Sequence, residues 1–215
     1  MARAKPFDDL PRTLEAFERW HARQPERWEF IDGHPVMKAP PALRHTRIKG
    51  NLFAALHGSL RGRDCSGYVD GAEIKSERTS SIPDIVVTCG PVDLRGSTIT
   101  EPVVIVEVLS PSTEKADRGS KWRAYRLIPS LRHYLIVAQD RMLVELHTRK
   151  APSVFEERSV EEGELHLDAI GAVLHLDAIY AGVSFEEEAE GAEKEVEDGE
   201  AGDEQTAGEP GEGRA

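Results

Sequence analysis

Cysteine is scarce in this chain of 215 residues: Cys65 and Cys89 are the only two, too far apart to form a CxxC pair. Their number and spacing exclude a disulfide framework and a four-cysteine zinc site, and the expected state is a pair of reduced thiols in a cytoplasmic protein. Long apolar runs are missing as well. None approaches the roughly 18 residues that a membrane-spanning helix requires. Asp8, Asp9 and Glu15 interrupt the segment where a secretory signal would have to be apolar. Neither secretion nor a membrane span is expected.

An excess of positive charge is also absent. Against 39 Asp and Glu stand 27 Lys and Arg, net −12, yet the deficit is local: residues 186–215 hold 13 acidic and 2 basic side chains, residues 1–185 hold 26 and 25. The last stretch, Glu, Gly and Ala without an aromatic residue, is expected to be a disordered acidic tail, either a solubility element or a polyanion that competes with a nucleic-acid ligand. Residues 1–185 can bury about 70% of their unfolded surface, so one domain with its own core is expected there.

What is present is patterned. Leu14 and Phe17 mark a short amphipathic helix within residues 11–22, and Trp28-Glu-Phe-Ile and Val36-Met-Lys flank Asp32-Gly33, the turn chemistry of a hairpin. Ile48, Leu52, Ala55, Leu56 and Ser59 recur at helical spacing and predict a helix over 45–60. Strands are expected at Glu73-Ile-Lys, at Asp84-Ile-Val-Val-Thr-Cys and at Val103-Val-Ile-Val-Glu-Val-Leu. The last two are continuous β-branched runs, which suit strands covered on both faces. A charged amphipathic helix over 117–128 stops before Pro129, and two strands follow, His133-Tyr-Leu-Ile-Val-Ala and Met142-Leu-Val-Glu-Leu-His. LHLDAI occurs at 165–170 and again at 174–179; two copies are too few for a solenoid and fit a strand pair, or a strand and turn, that caps the sheet.

Two acids stand out. Asp84 opens one buried strand, and Glu107 sits inside another between Val106 and Val108. A carboxylate in such a run is costly unless a cation or hydrogen-bond donors satisfy it. Two of them converging from adjacent strands make a hard-oxygen site that suits Mg²⁺, whose remaining ligands come from water and phosphate. An ion pair or a strand-end surface carboxylate is the alternative.

The strings WEFIDGHPVMKAPPALRHTRIKGNL, SIPDIVV, PVVIVEVLSPSTEKADRGSKWRAY and HYLIVAQDRMLVELH, in that order, resemble the Uma2 family of restriction endonucleases, a branch of the PD-(D/E)XK nuclease superfamily, over about residues 25–180. The resemblance implies an α/β (mixed α+β) fold, a central mixed sheet flanked by helices with a phosphodiester-cleaving site at its open end. It implies DNA as partner and Mg²⁺ as cofactor, with Mn²⁺ as substitute. Asp84 and Glu107 take the metal-ligand roles, and a lysine orients or activates the attacking water. The superfamily position for that lysine, two residues after the second acid, is Leu109 here. The family carries it on the next helix, four residues before a tyrosine, which gives Lys121 and Tyr125 on one helical face. A lysine is needed because phosphodiester hydrolysis develops negative charge and requires a hydroxide-like nucleophile.

Lys121 also reads as a solvated residue among Arg118, Arg123 and Arg126, with Lys75 and Lys115 as its substitutes. Glu73 is a candidate third acid. His45 matches a family histidine and is expected first to cap its helix and second to contact substrate. Ser110, at the end of the Glu107 strand, is expected to bond backbone or phosphate. Residues 111–150 hold nine basic against four acidic side chains and residues 1–63 twelve against seven, a modest footprint for nucleic acid. Two functions follow: a Mg²⁺-dependent DNA endonuclease, with a homodimer as the default for cutting two antiparallel strands, or a nucleic-acid-binding or protein-interaction module on a nuclease-like fold without robust cleavage.

Overall fold

In the computed structural model, which describes residues 10–185, the Thr13 hydroxyl accepts the Ala16 amide at 3.2 Å and caps α1 (Leu14–His21), which buries Phe17. The acidic tail expected at 186–215 lies outside the described residues. β1 (Trp28–Ile31) and β2 (His34–Met37) form a hairpin through Asp32 and Gly33, at φ 49° and 85°; two consecutive left-handed residues match the twist of the flanking strands. α2 (Leu43–Leu60) turns His45, Ile48, Lys49, Leu52, Leu56 and Leu60 inward, one stripe at helical spacing. Two members of that stripe are basic.

β3 (Cys65–Val69), β4 (Ile74–Lys75), β5 (Ser80–Ser81), β6 (Ile85–Cys89) and β7 (Pro102–Val108) make the strand-rich middle. A helical crossover follows: α3 (Glu114–Ala116), a π-helical turn (Asp117–Lys121) and α4 (Trp122–Tyr125). Next come β8 (His133–Val137), β9 (Val144–Ala151), β10 (Val154–Val160), β11 (Glu164–Leu167), β12 (Ala172–His175) and α5 (Leu176–Ile179). The main sheet has six strands in the order β10-β9-β8-β7-β6-β3, and within it only β7 and β8 run parallel. An antiparallel neighbour can be reached by a tight turn, whereas a parallel one requires a crossover, and this is where the crossover helices fall. A smaller sheet, β2-β1-β5-β4, and the β11-β12 hairpin complete a mixed α+β fold.

β6 and β7 are buried on both faces, as their continuous apolar runs predict. Ile48, Leu52 and Leu56 of α2 are fully buried, and α2 packs on β3 and β7. One core cluster joins Val86, Ile105, Tyr134 and Ile136 of the sheet to Tyr125 of the crossover. Val86, Ile105 and Tyr134 form one cross-strand row. The next row pairs Glu107 with Ile136, and Asp84 lies one step beyond the Ile85–Val106 pair. The polar site is therefore a continuation of the core.

Three sequence expectations need correction. The helix expected over 117–128 begins at Glu114, contains a π turn and ends at Tyr125, ahead of Pro129, whose ring disfavours helical backbone at the preceding residue. β3, β5 and β10 carry no continuous apolar run, because they are edge strands or only two residues long, and the expectations omit them. Cys65 and Cys89 are not reduced thiols: strand pairing sets Cys65 opposite Cys89 and they form a disulfide. The spacing of two cysteines says nothing about which strands will bring them together. Both LHLDAI copies are strands, β11 and β12, each entering a helical turn, as expected.

The disulfide closes a loop of sequence separation 24, which corresponds to about 2–4 kcal/mol of stability through restriction of the unfolded chain. Replacing both cysteines by serine should lower the unfolding free energy in urea by about that amount while far-UV circular dichroism stays unchanged. An unaltered urea midpoint would refute the contribution.

Candidate active site

Three elements converge on a buried ammonium. Lys121, 1% exposed, leaves the π turn and places Nζ 3.1 Å from Glu107 Oε1 of β7, 3.2 Å from Glu29 Oε2 of β1 and 2.9 Å from Asp117 Oδ1 one turn earlier on its own segment. The Tyr125 hydroxyl donates to Glu107 Oε1 at 3.0 Å and is itself 2.8 Å from the Ser81 hydroxyl of β5. Glu29 Oε1 accepts the Ile82 amide at 2.7 Å, and Lys38 Nζ stands 3.5 Å from the same oxygen. Side chains far apart in the chain thus form one network.

One ammonium cannot neutralise three carboxylates. Burial alone would raise Glu29, but Lys121, Lys38 and the Ile82 amide outweigh it and hold that carboxyl below its ordinary value. Burial pushes Glu107 up to about 8 despite Lys121, with Asp117 and Asp84 adding to the rise, and burial likewise raises Asp117. Burial opposes the charge on Lys121 as well, yet Glu107 and Glu29 keep its pKa well above the usual lysine range. Surplus negative charge is therefore concentrated around Glu107.

Asp84, beside it, lives in a different environment. Its Oδ2 accepts the Val108 amide at 2.8 Å and lies 3.3 Å from His45 Nε2, and its Oδ1 lies 3.6 Å from Lys49 Nζ. His45 Nε2 is also 3.0 Å from the Val108 carbonyl, and Lys49 donates to Asp70 at 2.7 Å. Burial would raise this carboxyl, but His45, Lys38 and the Val108 amide hold it at about 2. Asp84 Oδ1 and Oδ2, the Glu107 carboxyl and the Val108 carbonyl are all hard oxygens, and the cationic or polar N–H groups of His45, Lys49 and Lys121 already crowd them. Oxygens of this kind are the ones a hard divalent cation takes, and Asp84 and Glu107 are the residues that would hold it.

A family model described as "Putative restriction endonuclease", Uma2, matches residues 14–177. The chain belongs to the Uma2 family. Two relatives from Synechocystis sp. (strain ATCC 27184 / PCC 6803 / Kazusa) are similar to it. The uncharacterized protein slr1290 is 36% identical over 145 residues, 66% of this chain and 75% of that one. The uncharacterized protein sll1609 is 30% identical over 119 residues, 53% of this chain and 67% of that one. The fold is similar to the crystal structure of a putative nuclease belonging to DUF820 from Anabaena variabilis ATCC 29413, with TM-score 0.64, 17% identity, and coverage of 79% of this chain and 98% of that one.

Of the residues to which the Uma2 resemblance directs attention, Asp84, Glu107, Lys121, Tyr125 and His45 come together. Lys121 is not a solvated helix residue. His45 does not cap α2: the N-cap is Ala42, without a side-chain bond, and the imidazole turns inward to Asp84 instead. Glu73 is elsewhere, bonded to the Ser80 hydroxyl and 3.3 Å from Lys75, which also pairs with Glu18. Lys115 is exposed. Ser110 bonds Thr113 at 2.9 Å and its carbonyl accepts the Glu114 amide, so it shapes the turn into α3. Glu29, Lys38, Lys49 and Asp117 go unnoticed in the sequence. Asp117 stands one turn before Lys121 and two before Tyr125, and Lys49 interrupts an apolar stripe; both spacings are visible signals. Among the described residues the one group of three whose ligand atoms come within metal-binding distance of one another lies elsewhere, Glu145, His147 and Glu157, and Arg118 already pairs with Glu145. No helix among them is long and apolar enough to cross a membrane.

The raised Glu107 carboxyl makes stability depend on pH. With a folded pKa of about 8 against an ordinary 4.5, it keeps its proton across that window only in the folded state, so stability is full below pH 4.5 and falls as pH rises toward 8. Asp84 acts oppositely, contributing above pH 3.8 and losing that contribution as pH falls toward 2. In urea unfolding without divalent cations, the protein should be less stable at pH 8 than at pH 5, and Glu107→Gln should flatten that difference. Identical slopes in both proteins would contradict the assignment.

Proposed function

We propose that the chain is a divalent-cation-dependent endonuclease that hydrolyses DNA phosphodiester bonds. The observation that carries the reading is the pairing of Asp84 and Glu107 on adjacent strands with opposite electrostatic environments, one carboxyl ionised down to about pH 2 and one holding a proton up to about 8. Environments that separate two neighbouring carboxyls in this way are characteristic of acid–base sites. A bound Mg²⁺ or Mn²⁺ supplies Lewis acidity at the phosphate and a water of lowered pKa. Asp84 is kept anionic and oriented by the Val108 amide, His45 and Lys49. Glu107 would hold the cation in its ionised form, and Tyr125 and Lys121 keep its Oε1 in place. Membership in the Uma2 family supports nuclease chemistry, and the duplex substrate and a homodimer that places one site on each strand are parts of the same proposal.

A plain binding module has no use for three carboxylates buried around one lysine, which favours the catalytic reading over the interaction one. Asp84→Asn and Glu107→Gln should each reduce Mg²⁺-dependent nicking of supercoiled plasmid by at least about 10²-fold, the scale on which loss of a preorganised electrostatic group is felt. Calorimetric titration with Mg²⁺ should show binding to the unaltered protein and its loss in both variants. Full nicking by either variant would remove the metal assignment.

A further inference from the structure

Lys121 is badly placed for a phosphate. Its Nζ is enclosed by Glu29, Glu107 and Asp117, and the residue is 1% exposed. An ammonium has three protons, and three carboxylates stand around this one. Lys38 is different. It follows β2, its side chain is 22% exposed, and Nζ donates to the Ile82 carbonyl at 2.9 Å and stands 3.5 Å from Glu29 Oε1. The Ile82 carbonyl takes one of its three protons and Glu29 stands at ion-pair distance, which leaves donor capacity for a ligand. Ile82 lies two residues before Asp84, so the amine is anchored at the approach to the carboxylate pair. Its charge reaches Glu29, Asp84 and Glu107 alike.

We propose that Lys38, and not Lys121, is the ammonium that meets the scissile phosphate, an inference that rests on the nuclease reading of the site. Lys121 is then a positioning residue: it holds Glu107, Glu29 and Asp117 in register and never touches substrate. Lys38 is part-exposed beside Glu29 while Lys121 is enclosed, so of the two ammoniums it is the one within reach of a phosphodiester that comes from solvent. The competing role for Lys38 is a purely structural clamp on the segment from Ile82 to Asp84.

Lys38→Met separates the two. Contact with phosphate predicts that turnover on duplex DNA with Mg²⁺ falls by about 10²-fold. It also predicts that the slope of log affinity against log salt, measured in EDTA, shrinks by about 0.9, the counterion release of one phosphate. Lys38→Arg should restore the slope and only part of the turnover, because its planar fork places charge differently. A structural clamp predicts a lower melting temperature with slope and turnover per folded molecule unchanged, and that result overturns the proposal. Lysine acetylation read by mass spectrometry on the unaltered protein is independent of any variant's folding. Lys38 should be modified in the free protein and protected by duplex DNA, while Lys121 stays unmodified in both. Equal modification of Lys38 with and without DNA overturns the assignment, even in a protein that cuts. Failure of the unaltered protein to bind duplex, or full cleavage by Asp84→Asn, brings down the nuclease reading and Lys38 with it.

Discussion

Burying the Lys121 ammonium is the constraint around which the rest is arranged. Removing such an ion from water costs several kcal/mol unless oxygen partners replace its hydration, and here the partners come from three places. Glu107 arrives on the central strand, Glu29 on the N-terminal hairpin and Asp117 from the same helical segment. The hairpin must therefore dock against the main sheet for the lysine to be tolerated at all. The π turn has a role in this. A wider helical turn shifts side-chain phase, and both buried charged residues of the crossover, Asp117 and Lys121, lie within it.

The same enclosure creates the asymmetry on which the proposed chemistry rests. Asp84 and Glu107 are neighbours across β6 and β7, yet donors face one and surplus negative charge surrounds the other. Sheet register alone would make them equivalent. What separates them is that α2 supplies His45 and Lys49 to one side of the strand end, while the crossover brings Asp117 alongside Lys121 to the other. The electrostatic difference between the two acids depends on which helix covers which carboxylate.

Much of this is legible in the sequence where the signal is local. The β-branched runs around Ile85 and Val104 declare strands buried on both faces, and an acid inside each run is conspicuous because it violates the pattern. Lys121 and Tyr125 are found through the resemblance, since one-turn spacing by itself does not separate a buried lysine from a solvated one. Glu29, Lys38 and Lys49 are harder. Each sits on an ordinary-looking hairpin or helix, and its value depends on docking between segments far apart in the chain, which no periodicity records. His45 shows the same limit: near a helix start it reads as a cap, and only tertiary packing reveals the imidazole turned toward Asp84. The disulfide is the extreme case, because two isolated cysteines carry no information until the strands that bear them pair.

That disulfide has a topological consequence. Cys65 and Cys89 bracket the segment that carries Asp70, β4, β5 and Asp84, and they close it at the end of the β3–β6 ladder away from those acids. A protease that makes one cut between Cys65 and Asp84 leaves two fragments that remain one covalent molecule, with Asp84 on the fragment that also holds Glu107 and Lys121. Only reduction would let the pieces separate, so a nicked chain and an intact one differ in gel mobility solely under reducing conditions.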